Sequence, residues 1–218
     1  FRDAGGLWDK YPVEQVATPE GYARNPELVI NFYNERRKQL LDVVPNAGHL
    51  GVADLERDFN VTVVTQNVDN LHERAGSTHV IHLHGELTKV CSSRDPYNPH
   101  FVKELAPEEY EVKLGDKAGD GTQLRPFIVW FGESVPEIET AIRYVEQADI
   151  FVIIGTSLNV YPAAGLLNYV PRAAEVYLID PKPVDTHVMR PIHVIQKGAS
   201  EGVKELKALL TATQPPLP

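Results

Sequence analysis

The sequence has a single cysteine, no long apolar run, no block of basic residues and no Ser/Gly-rich or Pro-rich linker. Each absence narrows the reading. One thiol, Cys91, excludes an intramolecular disulfide framework and cannot supply a four-ligand zinc site, so the chain is expected to be intracellular and cytoplasmic. No stretch of about 18 apolar residues offers a membrane helix, and the first residues lack the basic-then-apolar pattern of a secretion signal. A membrane is therefore not an expected partner. The formal charge of −9 and the pI near 5.4, with no Lys/Arg cluster, argue against nucleic acid as well. The 17 prolines and 15 glycines are scattered and no internal repeat is evident, so one main domain is the default. The chain opens at Phe1-Arg2-Asp3-Ala4-Gly5-Gly6 with neither a methionine nor a preceding strand, and a segment upstream is expected.

What is present is enough for a sizeable core: 218 residues, 43% of them hydrophobic. Short β-branched runs at 61–65, 80–83, 127–130, 150–154, 175–179 and 193–195 alternate with apolar residues at helical spacing in 47–59, 137–148, 163–170 and 201–210. That alternation predicts an α/β fold, a Rossmann-like parallel sheet with helices on both faces. Thr18-Pro19 and Asn25-Pro26 each set a capping side chain before a proline at the first helical position. On the second of these helices, Val29, Tyr33, Arg36 and Leu40 fall on one stripe, which directs a guanidinium inward. Such an arginine can snorkel out, meet a structural carboxylate, or await a ligand. Residues 92–125 break the pattern and read as a small loop-rich module, with a surface loop at 116–121.

Three clusters lie where the strands end, the usual ligand edge of an open parallel sheet. Thr65-Gln66-Asn67-Val68-Asp69 follows a strand and offers amides and a carboxylate, although an Asx turn capping the next helix explains it equally well. Gly155-Thr156-Ser157 combines a glycine that permits close backbone approach with hydroxyls suited to phosphate oxygens; alone it is also an ordinary strand-to-helix turn. His84, before Gly85, closes a strand, and a neutral imidazole there can take a proton near neutral pH. As one of eight histidines it needs company.

That company is a set of motifs in order: Phe1-Arg2-Asp3 with Gly6-Leu7-Trp8, Pro45-Asn46-Ala47-Gly48-His49, Gln66-Asn67-Val68-Asp69-Asn70-Leu71-His72, His84-Gly85, Arg125-Pro126 with Val129-Trp130-Phe131-Gly132-Glu133, and Gly155-Thr156-Ser157 with Val160, Pro162 and Ala163. Together they resemble the sirtuin family of NAD-dependent protein deacylases along essentially the whole chain. The resemblance implies a Rossmann-like large lobe (45–85 and 126–218), a smaller helical and loop lobe (17–44 and 86–125), and a cleft where NAD and an acyl-lysine protein or peptide meet. It implies that Phe1, Arg2, Gln66, Asn67, Asp69, Gly155, Thr156, Ser157, Asp180 and Ala199 contact NAD. His84 would be the catalytic base, with Asn67 and Asp69 positioning the ribose. Val129, Trp130, Phe131, Gly132, Glu133 and Val160 would face the peptide and acyl-lysine. The implied products are nicotinamide, lysine and O-acyl-ADP-ribose.

Within that family, Tyr33-x-x-Arg36 resembles the motif of the desuccinylase and demalonylase branch, with Ala17 as the small residue of the same pocket. The helical spacing sets phenol and guanidinium side by side, able to bind a terminal carboxylate. Plain deacetylation, mono-ADP-ribosylation and a catalytically silent NAD or ADP-ribose sensor are the rival functions. Two departures stand out. Most relatives hold the small lobe with zinc on two Cys-x-x-Cys pairs, whereas this interval has only Cys91, so no metal is expected and 92–125 should be held by packing and hydrogen bonds. Asp180 replaces the asparagine common after the fifth strand. A monomer is expected.

Overall fold

The computed structural model describes residues 10–156, 163–183 and 189–212. In chain order the helices are α1 (Val13–Val16), α2 (Pro19–Arg24), α3 (Pro26–Leu40), α4 (Ala47–Asp54), α5 (Leu71–Ala75), α6 (Ile138–Val145) and α7 (Ala199–Ala212). The strands are β1 (Val63–Thr65), β2 (Val80–His82), β3 (Gly85–Ser92), β4 (Lys103–Glu104), β5 (Leu124–Ile128), β6 (Ile150–Ile154), β7 (Glu175–Ile179) and β8 (His193–Ile195). They divide into two compact units, the first comprising 10–43, 65–70 and 82–136, the second 44–64, 71–81 and the described residues from 137 onward.

In the first unit the helical caps fall where the sequence put them. Thr18 Oγ1 accepts from Gly21 N at the start of α2, and Asn25 Oδ1 accepts from Leu28 N at the start of α3, each ahead of a proline. The α3 stripe is buried throughout: Val29 0%, Tyr33 1%, Arg36 4% and Leu40 9% exposed. Ile30 of the same helix packs with Val90 of β3 and Val112. Polar clamps reinforce this contact. Arg37 donates from Nε to the Tyr110 carbonyl (2.8 Å) and from a terminal nitrogen to Asn34 Oδ1 (2.6 Å), while Asn34 exchanges two hydrogen bonds with the Val112 backbone. Burial lowers the Arg37 pKa to about 10. The sheet of this unit is antiparallel, in the order β4-β3-β5. Here the structure departs from the pattern read in the sequence: the strand expected at 127–130 is β5, shifted toward the N-terminus, and its partner β3 was not foreseen as a strand.

The second unit contains the parallel sheet, order β6-β7-β8, in register from Ile150↔Glu175 and Tyr177↔His193. Alternation along β7 sends Tyr177 and Ile179 into a cluster with Val203, Leu206 and Leu210 of α7, while Val176 and Leu178, on the opposite face, are also buried. α7 can lie this close because Gly202 has no side chain; a Cβ there would stand 2.2 Å from Ile179 Cγ2. The helix expected over 163–170 is a 3-10 segment, Ala163–Tyr169, and that expected over 201–210 is α7.

Candidate functional site

In the first unit, the loop after β1 and the strand end after β2 are laced together. The Thr65 carbonyl accepts from Leu83 N (3.0 Å), and the Gln66 carbonyl lies 3.2 Å from His84 Nδ1. The Asn67 carbonyl lies 3.1 Å from His82 Nδ1, and the Val68 carbonyl accepts from Leu87 N (2.7 Å). Asn67 N donates to Thr65 Oγ1 (3.0 Å), which turns the loop. Gln66, Asn67, Asp69 and His84 are thus brought into one neighbourhood.

A carbonyl oxygen only accepts, so His84 carries its proton on Nδ1 and, when neutral, keeps a lone pair on Nε2. Burial lowers the His84 pKa, and the bond to the Gln66 carbonyl works in the opposite direction. Gly85 has φ +88°, and a Cβ there would stand 2.1 Å from the Phe127 carbonyl oxygen, so only glycine lets the chain after His84 pass this close to β5.

The 129–133 segment continues the lacing. Val129 N donates to the His84 carbonyl (2.9 Å) and Phe131 N to the Ala17 carbonyl (3.0 Å). Between them, Trp130, 2% exposed, donates from Nε1 to Tyr33 Oη (3.0 Å), and Tyr33 Oη donates to the Val16 carbonyl (3.0 Å). Burial pushes the Tyr33 hydroxyl up to about 12, so it stays a neutral phenol. Arg36 lies one turn on, its Cζ 5.6 Å from the Phe32 ring centroid and 5.8 Å from that of Tyr33. At 4% exposure it does not snorkel. Burial lowers its pKa, and the nearby Tyr33 and Asp69 oppose that shift. Ala17, Tyr33, Arg36, His84, Val129 and Trp130 therefore share a continuous hydrogen-bonded and stacked frame.

Glu133 and Phe131 are placed differently. Phe131 and Gly132 are exposed. The Glu133 carboxylate takes both terminal nitrogens of Arg125 (3.1 and 3.0 Å) and the Trp130 N–H (2.8 Å), while the Arg125 guanidinium stacks 3.8 Å from the Trp130 ring centroid. Arg125 is 3% exposed, so this ion pair is a buried brace for the indole. The sequence motifs include Arg125 but assign it no role, and they leave His82 without one. The cue for His82 is its two-residue spacing from His84; Arg125 and Glu133 share one motif, yet nothing in the sequence marks them as an ion pair.

In the second unit, the candidate dinucleotide groups stand at the carboxyl edge of the parallel sheet, after adjacent strands. Gly155 follows β6 with φ +61°, and among the described residues a Cβ there would meet nothing within 4 Å, which suits a ligand against the backbone. Thr156 comes next. Asp180 follows β7, its N–H 3.3 Å from the Ile195 carbonyl and its Oδ1 accepting from Lys182 N (2.8 Å). Ala199 opens α7. Phe1, Arg2, Ser157 and Val160 lie outside the described residues.

Comparison with known proteins points one way. The Sir2 family model matches residues 1–162. An NAD-dependent protein deacylase of Bacteroides thetaiotaomicron is 84% identical over 210 residues, covering 96% of this chain and 90% of its own length. The corresponding Helicobacter pylori protein is 47% identical over 206 residues, covering 94% and 87%. Among solved structures, an NAD complex of a Sir2 homologue aligns with a TM-score of 0.81 at 36% identity, covering 98% of this chain and 84% of that one. An ADP-ribose complex of a mutant Sir2 homologue gives 0.82 at 33% identity, covering 99% and 88%. The fold is the Rossmann-like α/β fold of those structures.

Proposed function

The chain belongs to the Sir2 family, and from that premise we propose that it is an NAD-dependent protein-lysine deacylase that prefers acyl groups ending in a carboxylate, succinyl and malonyl, over acetyl. The observation that carries the preference is Arg36, buried at 4% exposure on the Tyr33 turn of α3 and within the frame that also holds His84. A desolvated guanidinium attracts a carboxylate far more strongly than an exposed one and gives a neutral acetyl group no such partner. Ala17 leaves room for the longer chain. Tyr33 can add its hydroxyl by turning its proton from the Val16 carbonyl to the incoming acid, with the Trp130 bond kept.

NAD supplies a ribose carbon that becomes electrophilic as nicotinamide leaves, so that the acyl group ends on ADP-ribose and lysine is freed. The residues present fit such a ligand, as the open, positive-φ backbone of Gly155 illustrates. Gly155, Thr156, Asp180 and Ala199, with Ser157, Phe1 and Arg2, are assigned to the dinucleotide, and Gln66, Asn67 and Asp69 to its nicotinamide-ribose end. Asn67 and Asp69 orient the ribose, and His84 Nε2 removes a proton from a ribose hydroxyl. Val129, Trp130, Phe131, Gly132 and Val160 are assigned to acyl-lysine and its peptide, Glu133 to bracing Trp130.

Among the described residues, a zinc held by cysteines does not fit this chain. Cys91 is fully buried with its Sγ 3.8 Å from the Pro126 carbonyl, burial pushes its thiol up to about 12, and no second cysteine exists. Ser92, next in β3, instead donates to Asp120 Oδ2 (2.5 Å) and accepts from Arg94 N (3.0 Å) and Asp95 N (2.9 Å).

One observation favours a second reading. Both hydrogen bonds of the Tyr33 hydroxyl are already made inside the protein, which suits a structural phenol in a plain deacetylase. Steady-state kinetics of Arg36→Met on succinyl- and acetyl-lysine peptides separate the two. Loss of a buried charge-assisted pair should lower kcat/KM for the succinyl peptide about 100-fold and disturb acetyl-lysine turnover far less. Equal losses on both peptides would reject the acid-selective pocket.

A further inference from the structure

We propose that His82 is a positioning residue for the reaction: its imidazole holds the 66–69 loop in the shape that presents Asn67 and Asp69 to the ribose. The inference rests on the assignment of that loop to NAD and adds a residue with no chemistry of its own.

The four carbonyls of residues 65–68 are all captured by residues 82–87, but by different means. Backbone N–H groups of Leu83 and Leu87 take the outer two, at Thr65 and Val68. Imidazole rings take the inner two, His84 at Gln66 and His82 at Asn67. A loop whose successive carbonyls are all tied has little freedom left in its peptide planes, and those planes set where the Asn67 and Asp69 side chains point.

The two rings have unequal duties. His84 must also offer Nε2 to the reaction, while His82 is 8% exposed and reaches the Asn67 carbonyl at 3.1 Å from within the protein. Because a carbonyl only accepts, His82 holds this bond through Nδ1–H. β2 ends at His82, and Leu83 and His84 form the turn that leads into β3 at Gly85, so the two imidazoles reach neighbouring carbonyls of one loop from a strand end and the turn after it, with Leu83, 2% exposed, between them. Loss of the His82 donor would leave a shielded carbonyl unsatisfied beside the residue that orients the ribose.

The test uses the full chain with His82→Leu, which removes the donor, and His82→Asn, whose side-chain amide sits near the Nδ1 position. Initial rates against NAD, nicotinamide exchange and a thermal melt are recorded with acetyl- and succinyl-lysine peptides. His82→Leu should lower kcat/KM for NAD about tenfold, to the same extent with both peptides, and slow nicotinamide exchange in parallel. His82→Asn should recover most of that loss. If His82→Leu does not fold, His82→Gln, whose amide reaches the Nε2 position instead, takes its place with the same expectation. A variant lacking the Nδ1 donor that keeps wild-type kcat/KM for NAD overturns the proposal. So does an Asn variant as impaired as the Leu or Gln variant, because a merely structural histidine would shift the melt without this split. Asn67→Ala identifies which idea failed: unchanged NAD kinetics there would remove the ribose assignment itself, whereas an impaired Asn67→Ala beside unaffected His82 variants would remove only the clamp.

Discussion

A histidine that must act as a base has to arrive without its proton, and the surroundings of His84 arrange this through burial rather than through a neighbouring charge. Desolvation disfavours the imidazolium and lowers the pKa below the ordinary 6.5, while the Gln66 carbonyl, by accepting from Nδ1, offsets part of that shift and selects the tautomer that leaves Nε2 free. The sign follows directly. The active, neutral form fills as pH rises through a value under 6.5, so kcat/KM should be flat across neutral pH and fall only in acid. A profile for acetyl- and succinyl-lysine peptides checks this, and an acid limb centred above pH 7 would contradict it. Tyr33, held up to about 12, remains a phenol throughout that range and adds no limb of its own. At this scale the sequence was informative: an arginine on an apolar helix stripe is costly unless something uses it, and Arg36 is indeed buried on that stripe.

Among the elements, the 92–125 module shows where local patterns stop informing. β3 begins at a glycine, carries Glu86 and Lys89 and ends in serine, and β5 includes Arg125-Pro126, which lacks a backbone donor. Neither has a clean period of two, and the register between them shifts between Gly85 and Val90. What makes them strands is each other, across more than thirty residues of intervening chain, and such pairing leaves no short-range trace. The module's closure is equally non-local: Ser92, 0% exposed, ties β3 to Asp120, Thr122 and the 94–95 backbone, and Ser93 donates to the Gln123 carbonyl. Ser92→Ala would strand two backbone N–H groups and should cost about 1–3 kcal/mol, read as a lower melting temperature. With this polar knot at the end of β3, a strong chelator should change neither the melting temperature nor deacylation. Loss of either on chelation would show that a metal holds the module.

For the molecule as a whole, ordered motifs carried more than periodicity did. The carboxyl edge of the parallel sheet was legible because β6 and β7 read as near-continuous apolar runs, β7 buried on both faces, whereas β8 is short and largely exposed; the antiparallel sheet around Arg36 and Trp130 was legible only through its motif residues. One whole-chain property reaches beyond both. The net charge of −9 gives the protein a field that repels acidic peptides and draws basic ones. That field acts between solvent-exposed charges and is screened over about 8–10 Å near physiological salt, whereas a carboxylate against Arg36, buried at 4% exposure, is screened far less. Two effects should therefore separate in a salt titration. With lysine- and arginine-flanked acyl-lysine peptides, kcat/KM should fall as salt rises; with aspartate- and glutamate-flanked peptides it should rise, because repulsion is relieved. The ratio of succinyl to acetyl turnover within either peptide series should stay nearly constant. The same salt trend for both flanks would remove steering by net charge, and a succinyl preference that vanishes with salt would mean that the acid is read at the surface and not by Arg36.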